Sequence, residues 1–158
     1  MFQSPAIAQN VEQHSEQEVL LFRLERELYA IPSNSVREVA RFRPWTPVPG
    51  APSVLPGIIS QRGMILPVVD PRPLLGLDQP DLTRAARLVV VMHNDIAMAL
   101  LVDAVLDLVA LPATALEPVP GALDSGRARF LRGVARHDEQ PLGLLDLSEL
   151  IAGLREKS

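Results

Sequence analysis

The feature that most constrains this 158-residue chain is that it repeats itself. Gly57, Ile58, Leu66, Val68, Val69, Asp70, Leu74 and Leu75 are followed, 76 residues later, by Gly133, Val134, Leu142, Leu144, Leu145, Asp146, Leu150 and Ile151. Ala30, Ile31, Asn34, Val36, Glu38 and Val39 precede Ala99, Leu100, Asp103, Val105, Asp107 and Leu108 by 69 residues, and the seven-residue difference between the offsets fits one altered loop. Matched residue types in matched order imply two copies of one supersecondary unit. With about five short strands per unit, two small barrels leave fewer exposed edges than one open sheet.

The strands follow from local pattern. Residues 1 to 17 are polar and aperiodic, which predicts a flexible tail with order starting at Glu18. Val19 to Leu24 and Leu28 to Ile31 form a hairpin around Glu25-Arg26-Glu27, while Ser33 to Arg41 fits either a helical face or a short strand. The proline-rich stretch from Pro44 to Pro52 cannot continue a ladder and reads as an extended surface loop, with Trp45 anchoring it. A second hairpin turns at Arg62-Gly63, where the glycine is free to take φ > 0. Asp70 caps a turn of helix that has Pro71 at its first position and Gly76 past its end. Residues 77 to 86 are a polar connector; a third hairpin crosses His93-Asn94-Asp95, Ala104 to Leu111 is a strand, and Pro118 to Arg127 is another loop. Fifteen prolines, against a usual share of about 5%, exclude long helices throughout.

Composition removes most chemistry. The chain has no cysteine, so it has neither disulfides nor thiolate sites, and a reducing cytoplasm is the natural setting. Its only lysine is Lys157, which leaves no P-loop lysine or Schiff base and no lysine partner for a phosphoacceptor at Asp70 or Asp146. His14, His93 and His137 lack metal-ligand spacing, and no metal or other cofactor is expected. The net charge of −4 comes from interspersed acids and bases, giving no basic stripe for nucleic acid. No apolar run reaches the roughly 20 residues that a membrane helix needs. Asp124-Ser125-Gly126 matches the tripeptide of aspartic proteases, but it occurs once and in a polar context, so a hydrolase using Asp124 is only a distant rival. Arg62 is the charge that stands out, because a tight turn between apolar strands presents its guanidinium in a fixed place.

The run Thr46 to Pro52 followed by Leu55-Pro56-Gly57-Ile58-Ile59-Ser60-Gln61-Arg62-Gly63-Met64-Ile65-Leu66-Pro67-Val68-Val69-Asp70 resembles the signature of the CheW-like domain family. Leu101 to Val105 and Phe130 to Ala135 agree with it. One departure is Ser60-Gln61, where the family usually has Asn-Leu. The resemblance implies a mainly β fold of two five-stranded SH3-like β-barrel subdomains, with short helical turns and a C-terminal helix. The two barrels would be intertwined within a domain spanning 18 to 153, leaving 154 to 158 as a tail. It also implies a non-catalytic adaptor that couples methyl-accepting chemoreceptors to the regulatory domain of a CheA-type histidine kinase. Such an adaptor works in the cytoplasm and is recruited to membrane-associated receptor arrays. A non-flagellar array, such as that of a type IV pilus pathway, is the alternative setting. In the family, the receptor's signalling tip docks in an apolar groove between the barrels. Carried onto this chain, that contact implicates Val36, Glu38, Val39, Gly57, Ile58, Arg62 and Gly63, and the kinase contact falls around Ile96, Met98 and Leu111.

Overall fold

In the computed structural model, which describes residues 16–121, 123 and 125–157, the chain opens with a hairpin. Strand β1 (Glu16–Leu24) turns back into β2 (Glu27–Pro32), and a 3-10 turn at Ser33–Ser35 leads to β3 (Val36–Arg41). Then come β4 (Thr46–Pro47), β5 (Gly57–Gln61) and β6 (Met64–Val69). The second half repeats this order: hairpin β7 (Arg87–His93) and β8 (Ile96–Val102), strand β9 (Ala104–Pro112), then hairpin β10 (Leu131–His137) and β11 (Gln140–Leu145). The short helix α1 (Ser125–Ala128) precedes β10, and α2 (Leu147–Lys157) follows β11.

The two halves do not form one sheet each. The five-stranded sheet runs β10-β11-β2-β1-β9 and the six-stranded one β3-β7-β8-β6-β5-β4. The first hairpin of each half is thus inserted into the sheet completed by the other half. Two parallel junctions weld the exchange, Ala30 with Leu144 and Val68 with Ala99. The sequence offsets carry one junction onto the other, so an internal pseudo-two-fold relates them. It also relates the bulges, since β1 against β9 skips Leu106 and β3 against β7 skips Arg37.

This arrangement explains why the inserted hairpins read as continuous apolar runs rather than alternating strands. Val19 and Leu21 face a core inside the five-stranded sheet, while Leu20, Phe22 and Leu24 face a central core between the sheets. Leu88 and Val90 repeat the first role in the six-stranded sheet, and Val89 and Val91 repeat the second. Each fully buried aliphatic side chain contributes about 1.5–3 kcal/mol, so the seam between the sheets is where the halves are held together.

Several elements differ from the sequence expectation. Residues 1–15 of the expected tail lie outside the described residues, but Glu16 and Gln17 already belong to β1 because they pair with Pro112 and Leu111. Ser33 to Arg41 resolves as a 3-10 turn and then a strand. Within the proline-rich segment, Thr46 and Pro47 do pair, with Ile58 and Gly57. Proline is tolerated there because β4 is an edge strand. The loop after Pro118 contains α1. Helix α2 continues through the stretch expected as a tail, because Leu154 joins Leu147, Leu150 and Ile151 in the central core.

Glycine is required at one pair of equivalent positions. A side chain on Gly57 would strike the Thr46 carbonyl and the Trp45 ring, and one on Gly133 would come within 2.8 Å of the Glu117 carbonyl and Leu116. In both halves a crossing segment lies against the strand, through β4 on β5 and through a single bridge from Glu117 to Val134 on β10.

Candidate docking surface

The hairpin β5–β6 ends in a two-residue turn in which Arg62 (φ +49) and Gly63 (φ +79) are both left-handed. That is the turn whose twist matches an antiparallel pair, and it projects the Arg62 side chain, 77% exposed, beyond the sheet. The guanidinium reaches the edge strand β3, where its Nε donates to Glu38 Oε1 at 2.9 Å and its Nη2 to Oε2 at 3.1 Å. A second tie runs from Arg43 Nη2 to the Ser60 carbonyl at 2.5 Å. No backbone ladder joins β3 to β5, so these side chains fix the hairpin tip against the strand edge. Met64 and Ile65 beside the turn are 50% and 66% exposed, an unusual placement for apolar side chains in an otherwise ordered hairpin.

The Arg62 hydrogen bonds hold the Glu38 carboxyl below the usual glutamate range, and the Gln61 amide adds to the effect. Gln61 belongs to the pair that departs from the family pattern, so the polar residue serves the ion pair. Because the folded-state value is depressed, the pair is fully formed at neutral pH and opens only as pH falls through that depressed value. An NMR titration of the Glu38 carboxyl is expected to show its midpoint rising toward the ordinary glutamate range in Arg62→Ala; an unmoved midpoint would show that the arginine does not hold it.

The structure brings together only part of the expected contact set. Glu38, Arg62 and Gly63 meet at the hairpin tip, whereas Val39, 41% exposed, alternates onto the opposite face of β3. Val36 packs partly against the central core, Ile58 is half-buried, and Gly57 is buried beneath β4. The positions expected for kinase contact do not form one patch. Ile96 is half-buried and Met98 is 1% exposed in the central core, while Leu111 is 8% exposed in the core of the other sheet. Ile96 and Met98 do share a small cleft of about 240 Å³ with Leu55, Pro67, Ile151 and Leu154. Asp124 lies outside the described residues.

Sequence reasoning missed the most buried charges. Arg72 Nε and Nη2 donate to Asp70 at 3.0 and 2.9 Å, and its Nη1 donates to Asp103 at 3.3 Å and to the Pro80 carbonyl at 3.3 Å. Gln79 completes Asp70 at 2.8 Å, and Asp103 also accepts the Glu25 N–H at 2.7 Å. Burial pushes the Arg72 guanidinium down, but the Asp70 hydrogen bonds and the two carboxylate charges outweigh it and the net direction is up. Asp70 accepts the Arg72 N–H at 3.1 Å, but the 3-10 turn runs Pro73–Leu75 with Arg72 in the cap position and no side-chain cap, so Pro73 rather than Pro71 opens it and Asp70 serves the ion pair instead of the expected cap. The Asp70-Pro71-Arg72 spacing was visible in the sequence, but nothing there placed Asp103 opposite it.

These features define a class: a mainly β, two-sheet domain made from a duplicated unit, whose singular polar group stands on an exposed edge. Comparison with known proteins makes the class particular. The CheW-like domain family matches residues 18–155, and the chain belongs to that family. It is 31% identical over 145 residues to Protein FrzA of Myxococcus xanthus, covering 90% of each chain. It is 28% identical to the probable chemotaxis protein CheW of Rhizobium etli, covering 87% of this chain and 88% of that one. The solved structure of the scaffolding protein TtCheW from Thermoanaerobacter tengcongensis superposes with a TM-score of 0.78 at 28% identity, over 85% of this chain and 86% of that one.

Proposed function

We propose that this chain is a chemotaxis coupling adaptor that joins chemoreceptors to a CheA-type histidine kinase without catalysis of its own. The observation that carries this reading is the Arg62–Glu38 pair at the hairpin tip, flanked by exposed Met64 and Ile65. Exposed ion pairs contribute little to stability, and exposed apolar side chains contribute none. A rigid guanidinium beside apolar groups is instead what a partner surface recognises. Family membership supports the adaptor role, and the TtCheW structure is titled a scaffolding protein. The receptor's signalling tip is the partner for this edge, and the kinase regulatory domain takes a second surface that includes Ile96. Each sheet with its crossing segment is read as one SH3-like barrel, the Glu117–Val134 bridge and the β4–β5 pairing being the closing contacts. The adaptor is placed in the cytoplasm at receptor arrays; no helix among the described residues is long and apolar enough to cross a membrane.

The test is co-sedimentation with membranes that carry the co-encoded receptors and kinase. Arg62→Ala is expected to reduce the sedimented fraction severalfold while its melting temperature stays within a degree or two of wild type. Recruitment at the wild-type level would remove Arg62 from the contact. The alternative setting, a non-flagellar array such as that of a type IV pilus pathway, is tested in the same assay with receptors of such a pathway alongside those of swimming chemotaxis.

A further inference from the structure

We infer that the cleft where β3 ends and β7 begins is a docking site for an acidic peptide segment of a partner protein, distinct from the Arg62 edge. Arg41 and Arg87 are direct cross-strand partners, an arrangement of like charges that destabilises a sheet when nothing neutralises it. Arg84 joins them around an open cleft of about 540 Å³, whose lining is completed by Phe42, Leu82 and Thr83. Among the described residues, no carboxylate forms an ion pair with any of the three arginines, although Asp81 is close in sequence. Arg87 spends its Nη1 on the carbonyls of Arg84 and Ala86 at 2.9 and 2.8 Å, which fixes its position without cancelling its charge. Three unneutralised guanidinium groups in one cleft of a chain with net charge −4 are a local construction, not a consequence of composition.

The chemistry of the cleft selects its occupant. Guanidinium forks match carboxylates in a bidentate geometry. Phe42 and Leu82 offer an apolar floor to a neighbouring side chain, and the Phe42 ring is held by an edge contact with Trp45 at 5.9 Å. A long polyanion or an anionic membrane would extend past the cleft onto a surface of net negative charge, whereas a short acidic segment ends within it. Arg41 alternates onto the face of β3 opposite Glu38, and neither Glu38 nor Arg62 lines the cleft, so it can work whether or not Arg62 has the role proposed above.

The experiment titrates the full chain with a fluorescent peptide of sequence Glu-Glu-Leu-Glu-Glu, following anisotropy and backbone amide shifts. Saturable binding is expected, with the shifts centred on residues 40–43 and 82–88. The Arg41→Gln/Arg84→Gln variant should lose about tenfold or more in affinity, the scale of one charge-assisted hydrogen bond. Arg132→Gln, on β10 of the five-stranded sheet, should bind as wild type, and raising the salt concentration should weaken the complex. No saturable binding, equal binding of Gln-Gln-Leu-Gln-Gln, or tighter binding of an oligothymidylate or of phosphatidylserine vesicles would overturn the proposal. Circular dichroism of the double variant must match wild type; a folded variant that binds normally overturns the proposal equally.

Discussion

Arg72→Met is expected to lower the free energy of unfolding by about 3–5 kcal/mol, read as a drop in the urea midpoint at unchanged slope. The methionine keeps most of the side-chain volume, so the loss measures charge rather than packing. With the guanidinium gone, Asp70 and Asp103, 3% and 8% exposed, face each other across a space that water reaches poorly. Two buried carboxylates without their cation are far more costly than the complete triad is favourable, and this asymmetry sets the size of the effect. Adding Asp70→Asn and Asp103→Asn to Arg72→Met should recover a substantial part of the loss. If the single variant is as stable as wild type, the triad is not what holds the turn after β6 to the start of β9.

Gly57→Val is expected to cost about 1–3 kcal/mol and to detach β4 from β5, which hydrogen exchange at Ile58 and Thr46 would report. The new side chain meets the Thr46 backbone oxygen, which cannot rotate aside as a flexible side chain would. Membrane recruitment should fall as well, because β5 carries the hairpin whose tip is Arg62. The two recruitment defects then separate cleanly: Gly57→Val lowers the melting temperature and Arg62→Ala does not. A stable Gly57→Val variant with an intact β4 would mean that the crossing segment gives way more easily than its backbone contacts suggest.

The contrast between these residues shows what the sequence made legible. The hairpin at Arg62-Gly63 was readable because a two-residue turn is a local event with a local signature, and the arginine's exposure followed from it. The duplication was readable because equivalent residues keep equivalent chemistry at fixed offsets. Offsets, however, report equivalence and not partnership. That Ala30 neighbours Leu144 depends on a pairing across more than a hundred residues, and no periodicity in β2 or β11 encodes it. The Arg72 triad was hidden for the same reason, since Asp103 belongs to the other half of the chain. Met98 and Leu111 illustrate the converse limit: an apolar residue in a short strand has the same local signature whether it faces a partner or a core, and here both face cores.

The exchange of hairpins has a consequence for what a half of this chain is. Residues 16–84 hold the first two strands of one sheet and the remaining strands of the other, and residues 85–157 hold the complementary sets. Neither segment can complete a sheet alone, yet two copies of one segment supply every strand that the pseudo-symmetry requires. The fold therefore has the form of a swapped homodimer fused into a single polypeptide, in which the connector after β6 stands where one subunit would end and the next begin. Once fused, each copy is free to diverge: one has kept a cation at Arg72, and the other carries Ser148 at the matching place.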